Sequence, residues 1–159
     1  MKVLFSGSFD PFTKGHLAVV KKLSTLFDEV VVAVLNNEQK HYLFSLSCRT
    51  ELVKRSMADL PNVSVFGFDG LLVDACKAAG CSLVVKGLRN ATDLEYEAAM
   101  AKFNEELAGV QTLYVVADGA FRHVSSSAVK ELWKQGADYS AYVPDAVFAA
   151  MEQQKQIGT

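Results

Sequence analysis

Met1-Lys2-Val3-Leu4-Phe5-Ser6-Gly7-Ser8-Phe9-Asp10-Pro11-Phe12-Thr13-Lys14-Gly15-His16 is the stretch on which the reading of the fold turns. Val3, Leu4 and Phe5 run without alternation into a loop of small residues, the form of a strand buried on both faces. Gly7 lets the backbone approach a ligand closely, and Ser8 sets a hydroxyl beside it. Asp10-Pro11 forces a turn, because proline fixes its own φ and pushes its predecessor toward extended geometry. Gly15-His16 then opens a helical segment over residues 17–26, where Leu17, Val20, Leu23 and Phe27 share one face. Strand, tight loop and helix in that order make the first part of a βαβ unit. The unpaired N–H groups at the helix start suit a phosphate, and His16 can add an imidazole donor there.

The same pattern recurs along the chain. Apolar runs at 30–35, 63–66, 83–85 and 113–116 alternate with helical periodicity over 49–59, 71–79 and 93–107. That alternation predicts right-handed crossovers and an α/β fold, a Rossmann-like doubly wound sheet of five parallel strands. Two more helical stretches, 126–135 and 145–154, give a helical C-terminus, with Pro144 near the start of the second, where its missing N–H costs little. The polar tail 153–159 is expected to fray. No repeat, low-complexity tract or linker is seen, so one domain over residues 1–159 is expected. In such sheets the ligand lies beyond the carboxyl ends of the strands, which directs attention to the loops after each apolar run.

Half of the residues are hydrophobic, 21% are charged, and the formal net charge is −2. This balance argues against disorder and gives a nucleic-acid partner no electrostatic support. The first apolar run is too short for a signal peptide or a membrane span, so no membrane partner and a cytoplasmic location are expected. Cys48, Cys76 and Cys81 are odd in number and form no C-x-x-C pair. That argues against a disulfide framework or a structural zinc, and small buried or half-buried thiols are expected.

Two later loops carry chemistry. After the fourth apolar run comes Lys86-Gly87-Leu88-Arg89-Asn90-Ala91-Thr92-Asp93-Leu94-Glu95-Tyr96-Glu97. Arg89 can fork two N–H bonds onto phosphate oxygens, while Lys86 acts more as a point charge. Thr92 or Asp93 is expected to cap the following helix. Glu95 and Glu97 can hold a metal-bound water or ribose hydroxyls, or simply favour the helix dipole. After the fifth run, Phe121-Arg122-His123-Val124-Ser125-Ser126-Ser127-Ala128-Val129-Lys130 brings three serines to a helix start. They suit the β- and γ-phosphates of a nucleotide, and equally a plain N-cap.

Neither G-x-x-x-x-G-K-[ST] nor G-x-G-x-x-G is present. The first loop instead resembles the signature of the nucleotidylyltransferase superfamily, G-[ST]-F-D-P followed by [HT]-x-G-H, here in the T-x-G-H form with Thr13 and His16. With G-L-R at 87–89 and D-x-E-Y-E at 93–97, the chain closely resembles the phosphopantetheine adenylyltransferase family over essentially its whole length. The resemblance implies the adenine nucleotide alpha hydrolase-like (nucleotidylyltransferase) fold and the transfer of AMP from ATP to 4′-phosphopantetheine. It implies that His16, Ser8 and Lys40 surround the reacting phosphorus. Around the nucleotide it implies Ser8, Phe9, His16, Gly87, Leu88, Arg89 and Glu97, with Phe121, Arg122, His123, Val124, Ser125, Ser126 and Ser127 closing over it. On the acceptor side it implies Ser8, Lys40, Leu72 and Lys86. It implies Mg²⁺ held mainly through ATP phosphates and water, a homohexamer, and coenzyme A as a feedback inhibitor. A phosphate monoester dianion is already a competent nucleophile, so catalysis is expected to be positioning plus charge stabilisation.

The chain departs from the family pattern in places. Lys86 stands where the family usually has arginine, keeping the charge but losing the planar fork. Arg122 and His123 replace the usual residues before the serines, and His41 stands where the family often has a lysine. A nicotinamide-mononucleotide adenylyltransferase and a glycerol-phosphate cytidylyltransferase are alternatives within the same chemistry, and the late serine motif and first loop favour the phosphopantetheine enzymes over both. A catalytically dead nucleotide sensor is an alternative of another class, against which the Ser8, His16, Lys40 and Arg89 set argues. A redox-active thiol protein is weak with isolated cysteines.

Overall fold

In the computed structural model, which describes residues 1–158, five parallel strands form one sheet. They are β1 (Lys2–Gly7), β2 (Glu29–Leu35), β3 (Val63–Phe68), β4 (Leu83–Leu88) and β5 (Gln111–Val116), in the spatial order β3-β2-β1-β4-β5. The helices are α1 (Lys14–Leu26), α2 (Leu46–Ser56), α3 (Leu72–Ala79), α4 (Ala91–Ala108), α5 (Ser126–Lys134) and α6 (Asp145–Ile157). The expected strand–helix alternation is therefore the observed one.

The unbroken apolar runs are explained by cover on both faces. Successive strand side chains project to opposite sides. Val3, Phe5, Val30, Val32 and Val34 pack on one face with Val20 and Leu23 of α1, Val53 of α2, Val129 of α5 and Met151 of α6. Leu4, Val31, Ala33 and Val84 face the other side, against Cys76 of α3 and Val110. Each fully buried valine contributes about 1.5–3 kcal/mol relative to leaving it exposed. The cysteines are free; Cys76 and Cys81 are buried and Cys48 is half-buried, as expected.

Two local expectations are corrected. Asn90, not Thr92 or Asp93, caps α4: its backbone is extended (φ −157°, ψ 176°) and its side-chain oxygen accepts the Asp93 N–H at 2.9 Å. Thr92 and Asp93 already lie inside the helix. The tail expected to fray from residue 153 is helical to Ile157. The reason is docking: the Trp133 indole donates to the Met151 carbonyl at 3.1 Å and the Tyr139 hydroxyl to Glu152 at 2.7 Å, which holds α6 through its middle. Thr159, also in that expected tail, lies outside the described residues. Among the described residues no helix is long and apolar enough to cross a membrane.

The strand order places the site. The chain steps from β1 outward to β2 and β3, then returns to β4 on the other side of β1 and continues to β5. The crevice beyond the carboxyl ends of β1 and β4 is thus the topological switch point, where open parallel sheets bind ligands.

Candidate active site

β1 ends at Gly7, where a Cβ would lie 2.8 Å from the Phe9 ring. Phe9 has φ +50°, a left-handed conformation that costs a non-glycine residue about 1–2 kcal/mol. That turn sends its ring into the core, edge-on to Phe12 at 5.3 Å and to His16 at 5.0 Å. Phe9, expected beside the nucleotide, is only 3% exposed and shapes the site from below through His16. The Asp10–Pro11 peptide bond is cis.

His16 is the third residue of α1 and takes part in a reciprocal cap. Thr13 Oγ1 accepts the His16 N–H at 3.3 Å, and the Thr13 N–H donates to His16 Nδ1 at 3.0 Å. Accepting that N–H makes Nδ1 the bare nitrogen, so the ring proton sits on Nε2. The imidazole stacks on Phe12 at 5.5 Å between ring centres. Burial, with the Arg89 charge adding to it, lowers the His16 pKa to about 4. At neutral pH the side chain is therefore an uncharged donor through Nε2.

β4 lies beside β1 with Val85 opposite Phe5, so Lys86 and Gly87 emerge next to Ser6 and Gly7. Lys86 Nζ donates to Ser6 Oγ at 3.0 Å and lies 3.9 Å from Glu97 Oε2 on α4. Burial lowers the Lys86 pKa, and the Glu97 charge works against that shift. A Cβ on Gly87 would meet Val19 at 3.4 Å, and Leu88 is buried, so both offer mainly backbone to the crevice. Arg89 is exposed at the strand end, its Nε 3.4 Å from Asp93 Oδ2, which also accepts the Arg89 N–H at 3.0 Å. This fixes the base of the side chain and leaves the four N–H donors of Nη1 and Nη2 at the mouth of the crevice.

The three serines divide their work. Ser125 Oγ caps α5 by accepting the Ala128 N–H at 3.0 Å. Ser126 Oγ donates to the Pro11 carbonyl at 2.8 Å and ties the start of α5 to the first loop. Ser127 is exposed. Phe121, in the short turn Gly119–Phe121, lies against Gly15, where a Cβ would come within 3.6 Å of it. Val124 is buried in the core, while Arg122 and His123 are exposed, the latter edge-on to Tyr142 at 5.7 Å.

Of the residues expected on the acceptor side, Lys40 is exposed in a turn closed by its own N–H on the Asn37 carbonyl at 2.9 Å. Leu72, the first residue of α3, is half-buried against the second-face core. Sequence reasoning assigned no role to Arg49, which is only 1% exposed. Its Nε donates to the Phe44 carbonyl at 3.1 Å, and Nη1 donates to the carbonyls of Ser8 at 2.7 Å and Leu35 at 3.0 Å. Nη2 donates to the Asn36 side chain, and the Tyr42 ring covers the guanidinium at 3.9 Å. Asp10, read above only as a turn residue, accepts the N–H groups of Leu43 at 2.7 Å and Phe44 at 3.0 Å and lies 3.5 Å from Lys130 Nζ. A signal for Arg49 was present: it falls on the same stripe of α2 as Leu46, Leu52 and Val53. A cation on a core-facing stripe must find hydrogen-bond partners.

Residues 4–132 match the cytidylyltransferase-like family. A phosphopantetheine adenylyltransferase of Nocardioides sp. is 46% identical over 146 residues, covering 92% of this chain and 92% of that protein. Phosphopantetheine adenylyltransferases of Flavobacterium psychrophilum and Actinobacillus pleuropneumoniae are 40% identical, covering 92% and 96% of this chain and 97% and 98% of theirs. The chain belongs to the phosphopantetheine adenylyltransferase family. The fold reaches beyond that family: a crystal structure from Vibrio parahaemolyticus, described provisionally as a nicotinate-nucleotide adenylyltransferase, has a TM-score of 0.68 at 20% identity, covering 96% of this chain and 91% of that one. In this member of the phosphopantetheine adenylyltransferase family, a neutral imidazole donor, two cations and two helix starts converge on the β1–β4 crevice. Among the described residues no group of three or more His, Cys, Asp or Glu side chains is placed to hold a metal ion.

Proposed function

We propose that this chain transfers AMP from ATP to 4′-phosphopantetheine, giving dephospho-coenzyme A and pyrophosphate, a step of coenzyme A biosynthesis. The observation that carries the reading is its 40–46% identity, over more than nine-tenths of its length, to relatives named for that activity. The geometry of the crevice supports it, because the groups meant for the reacting phosphates are donors and cations.

In this reading a phosphate oxygen of the acceptor attacks the α-phosphorus in line. The new P–O bond forms as the bond to the β-phosphate oxygen breaks, and pyrophosphate leaves with that electron pair. No covalent enzyme intermediate is formed. His16 Nε2–H, the Ser8 hydroxyl and the Lys40 ammonium hold oxygens around the pentavalent phosphorus. Arg89 and the α5 start at Ser125, Ser126 and Ser127 take the charge that develops on pyrophosphate. Gly87 and Leu88 lend backbone to the nucleotide, Phe121 packs beside the adenine, Val124 anchors the serines in the core, and Arg122 and His123 stand at the rim. Phe9 acts through the packing of His16. Glu97 orients the nucleotide and favours the charged form of Lys86 against its burial, while Lys86 and Leu72 serve the acceptor. Mg²⁺ arrives as part of Mg·ATP, bound by phosphates and water, a habit of this hard cation.

The whole chain, residues 1–159, acts in this reading as one domain, in the cytoplasm, where its three free cysteines suit a reducing setting. It assembles as a homohexamer that coenzyme A inhibits. Apolar residues left exposed on α4 and β5, among them Met100, Phe103, Leu107 and Leu113, support an assembly, and light scattering tests it.

The deciding experiment is pyrophosphate release from Mg·ATP with 4′-phosphopantetheine, beside NMN and glycerol 3-phosphate, each with ATP and with CTP. Release with ATP and phosphopantetheine alone is the expected result. Release only with another acceptor would move the error to Lys86 and its neighbours. ATP binding without any release would favour a nucleotide sensor.

A further inference from the structure

The segment between β2 and α2 carries Lys40 at its exposed middle, and one buried side chain holds both of its ends. Arg49 donates to the carbonyls of Leu35 and Phe44, which bracket the segment, and to the carbonyl of Ser8 across the crevice. Tyr42 completes the arrangement. Its ring lies over the Arg49 guanidinium at 3.9 Å. Its hydroxyl accepts the Asn37 N–H, donates to the Asn37 carbonyl at 3.3 Å, and lies 3.5 Å from Ser8 Oγ.

A phenol has one proton and two lone pairs. With the proton on the Asn37 carbonyl and one lone pair on the Asn37 N–H, a single lone pair is left for Ser8. Ser8 is then the donor in their contact. At 3.5 Å that contact is at the outer edge of hydrogen bonding, so the Ser8 proton can turn to a phosphate oxygen. The phenol proton, on a long 3.3 Å bond to the Asn37 carbonyl, then turns to Ser8 Oγ while Tyr42 goes on accepting the Asn37 N–H. Such contacts commonly tighten when the substrates are in place.

We infer that Tyr42 is a positioning residue of the transfer step, its hydroxyl coupling Ser8 to the turn that carries Lys40 so that both approach the reacting phosphorus together. The inference rests on the roles proposed above for Ser8 and Lys40. An exposed lysine on a long flexible stem reaches the phosphorus from many geometries, and fixing the turn at Asn37 reduces their number. The gain falls in the transition state, so it is read in kcat and not in the affinity for ATP.

The test is steady-state kinetics on Tyr42→Phe, which keeps the ring on Arg49 and removes only the hydroxyl. A melting curve like that of the parent protein is expected, with faster solvent exchange at the Asn37 amide. The kcat should fall roughly three- to tenfold, as for the loss of one neutral hydrogen bond, with the KM for ATP unchanged. In a Ser8→Ala background the same substitution should cost less than it does in the parent, because its partner in the coupling is already gone and only the hold on the Asn37 turn is left to lose. Full turnover in Tyr42→Phe beside slow Ser8→Ala and Lys40→Ala variants overturns the role of Tyr42 alone. Penalties that simply multiply in the double variants overturn the coupling. Full turnover in both Ser8→Ala and Lys40→Ala overturns the site reading itself and this role with it.

Discussion

The Lys86 ammonium donates to the Ser6 hydroxyl at 3.0 Å, from β4 to β1, at the point where the strand order reverses. Family members usually carry arginine here, a planar fork that brings its own directional donors. A lysine brings a compact charge, which needs hydrogen-bond partners to stay ionised when it is partly withdrawn from water. Ser6, itself 6% exposed, supplies one partner, and Glu97 at 3.9 Å supplies an opposite charge. Glu97 raises the Lys86 pKa while burial lowers it, so the carboxylate offsets part of the desolvation. The ammonium is thereby held at the centre of the crevice and not out along the rim.

In the proposed reading, that arrangement makes acceptor binding sensitive to both residues. Lys86→Ala is expected to raise the KM for 4′-phosphopantetheine roughly tenfold to a hundredfold, the range for a lost charged hydrogen bond. Ser6→Ala keeps the charge but loosens it, and a roughly threefold to tenfold rise is expected. Initial rates with each substrate varied in turn check this. A loss confined to the KM for ATP would place Lys86 with the nucleotide instead.

His16 carries a second prediction, in pH. Its pKa is about 4 when folded, against 6.5 for the free side chain. Between those values the unfolded chain takes up a proton that the folded chain refuses, so stability falls as pH drops from 6.5 toward 4 and is complete above 6.5. The melting temperature of His16→Asn should therefore decline less over that interval than that of the parent. Turnover should show no loss from His16 titration down to pH 5, and an acid limb near pH 6 belongs to the phosphate of the acceptor, whose second pKa is about 6. At pH 7, His16→Asn should lower kcat by about a hundredfold to a thousandfold while ATP still binds, in the range seen when one transition-state donor is removed. Ring nitrogen NMR provides the direct check: Nε2 should hold the proton at pH 5, and a resonance titrating near 6.5 would contradict the reciprocal cap with Thr13.

Much of this was legible in the sequence, for physical reasons that differ by residue. The strands could be read because cover on both faces demands unbroken apolar runs such as 30–35. The place of His16 at a helix start could be read because the Asp10-Pro11 turn and Gly15 mark where the loop ends and the helix begins. Phe9 was harder: its placement depends on a positive φ and on the rings of Phe12 and His16, none of which leaves a local trace. Arg49 was harder still. A charge on a helix reads as solvent-facing, and the carbonyls that hold it come from Ser8, Leu35 and Phe44, two of them distant in sequence. The Asn90 cap turned on one hydrogen bond and the length of α6 on two, and such bonds fix boundaries and not elements.

Arg49→Met tests the buried clamp as a stability element. The methionine fills part of the volume but leaves the carbonyls of Ser8, Leu35 and Phe44 without the donors they have now. Each unsatisfied group costs about 1–3 kcal/mol if water cannot reach it, so a loss of about 3 kcal/mol or more is expected. For a chain of this size that is a fall in melting temperature of roughly 6–12 °C. Calorimetry settles it, and a variant that melts with the parent would mean that water reaches those carbonyls.

Gly7→Ala probes the floor of the site. The added Cβ would lie 2.8 Å from the edge of the Phe9 ring and 3.0 Å from its tip, closer than real contacts allow. The ring cannot retreat freely, because Phe5, Phe12 and His16 pack around it at 5.0–5.6 Å between ring centres. Overpacking of this kind costs about 1–3 kcal/mol. Part of the displacement must reach His16, whose Nε2–H is the donor to phosphate in the proposed mechanism. The expected outcome is a melting temperature lower by roughly 2–12 °C together with a fall in kcat. Gly119→Ala is the control for stability, since a Cβ there meets nothing within 4 Å. A Gly7→Ala protein that melts lower yet turns over at the parental rate would separate the packing of Phe9 from the placement of His16.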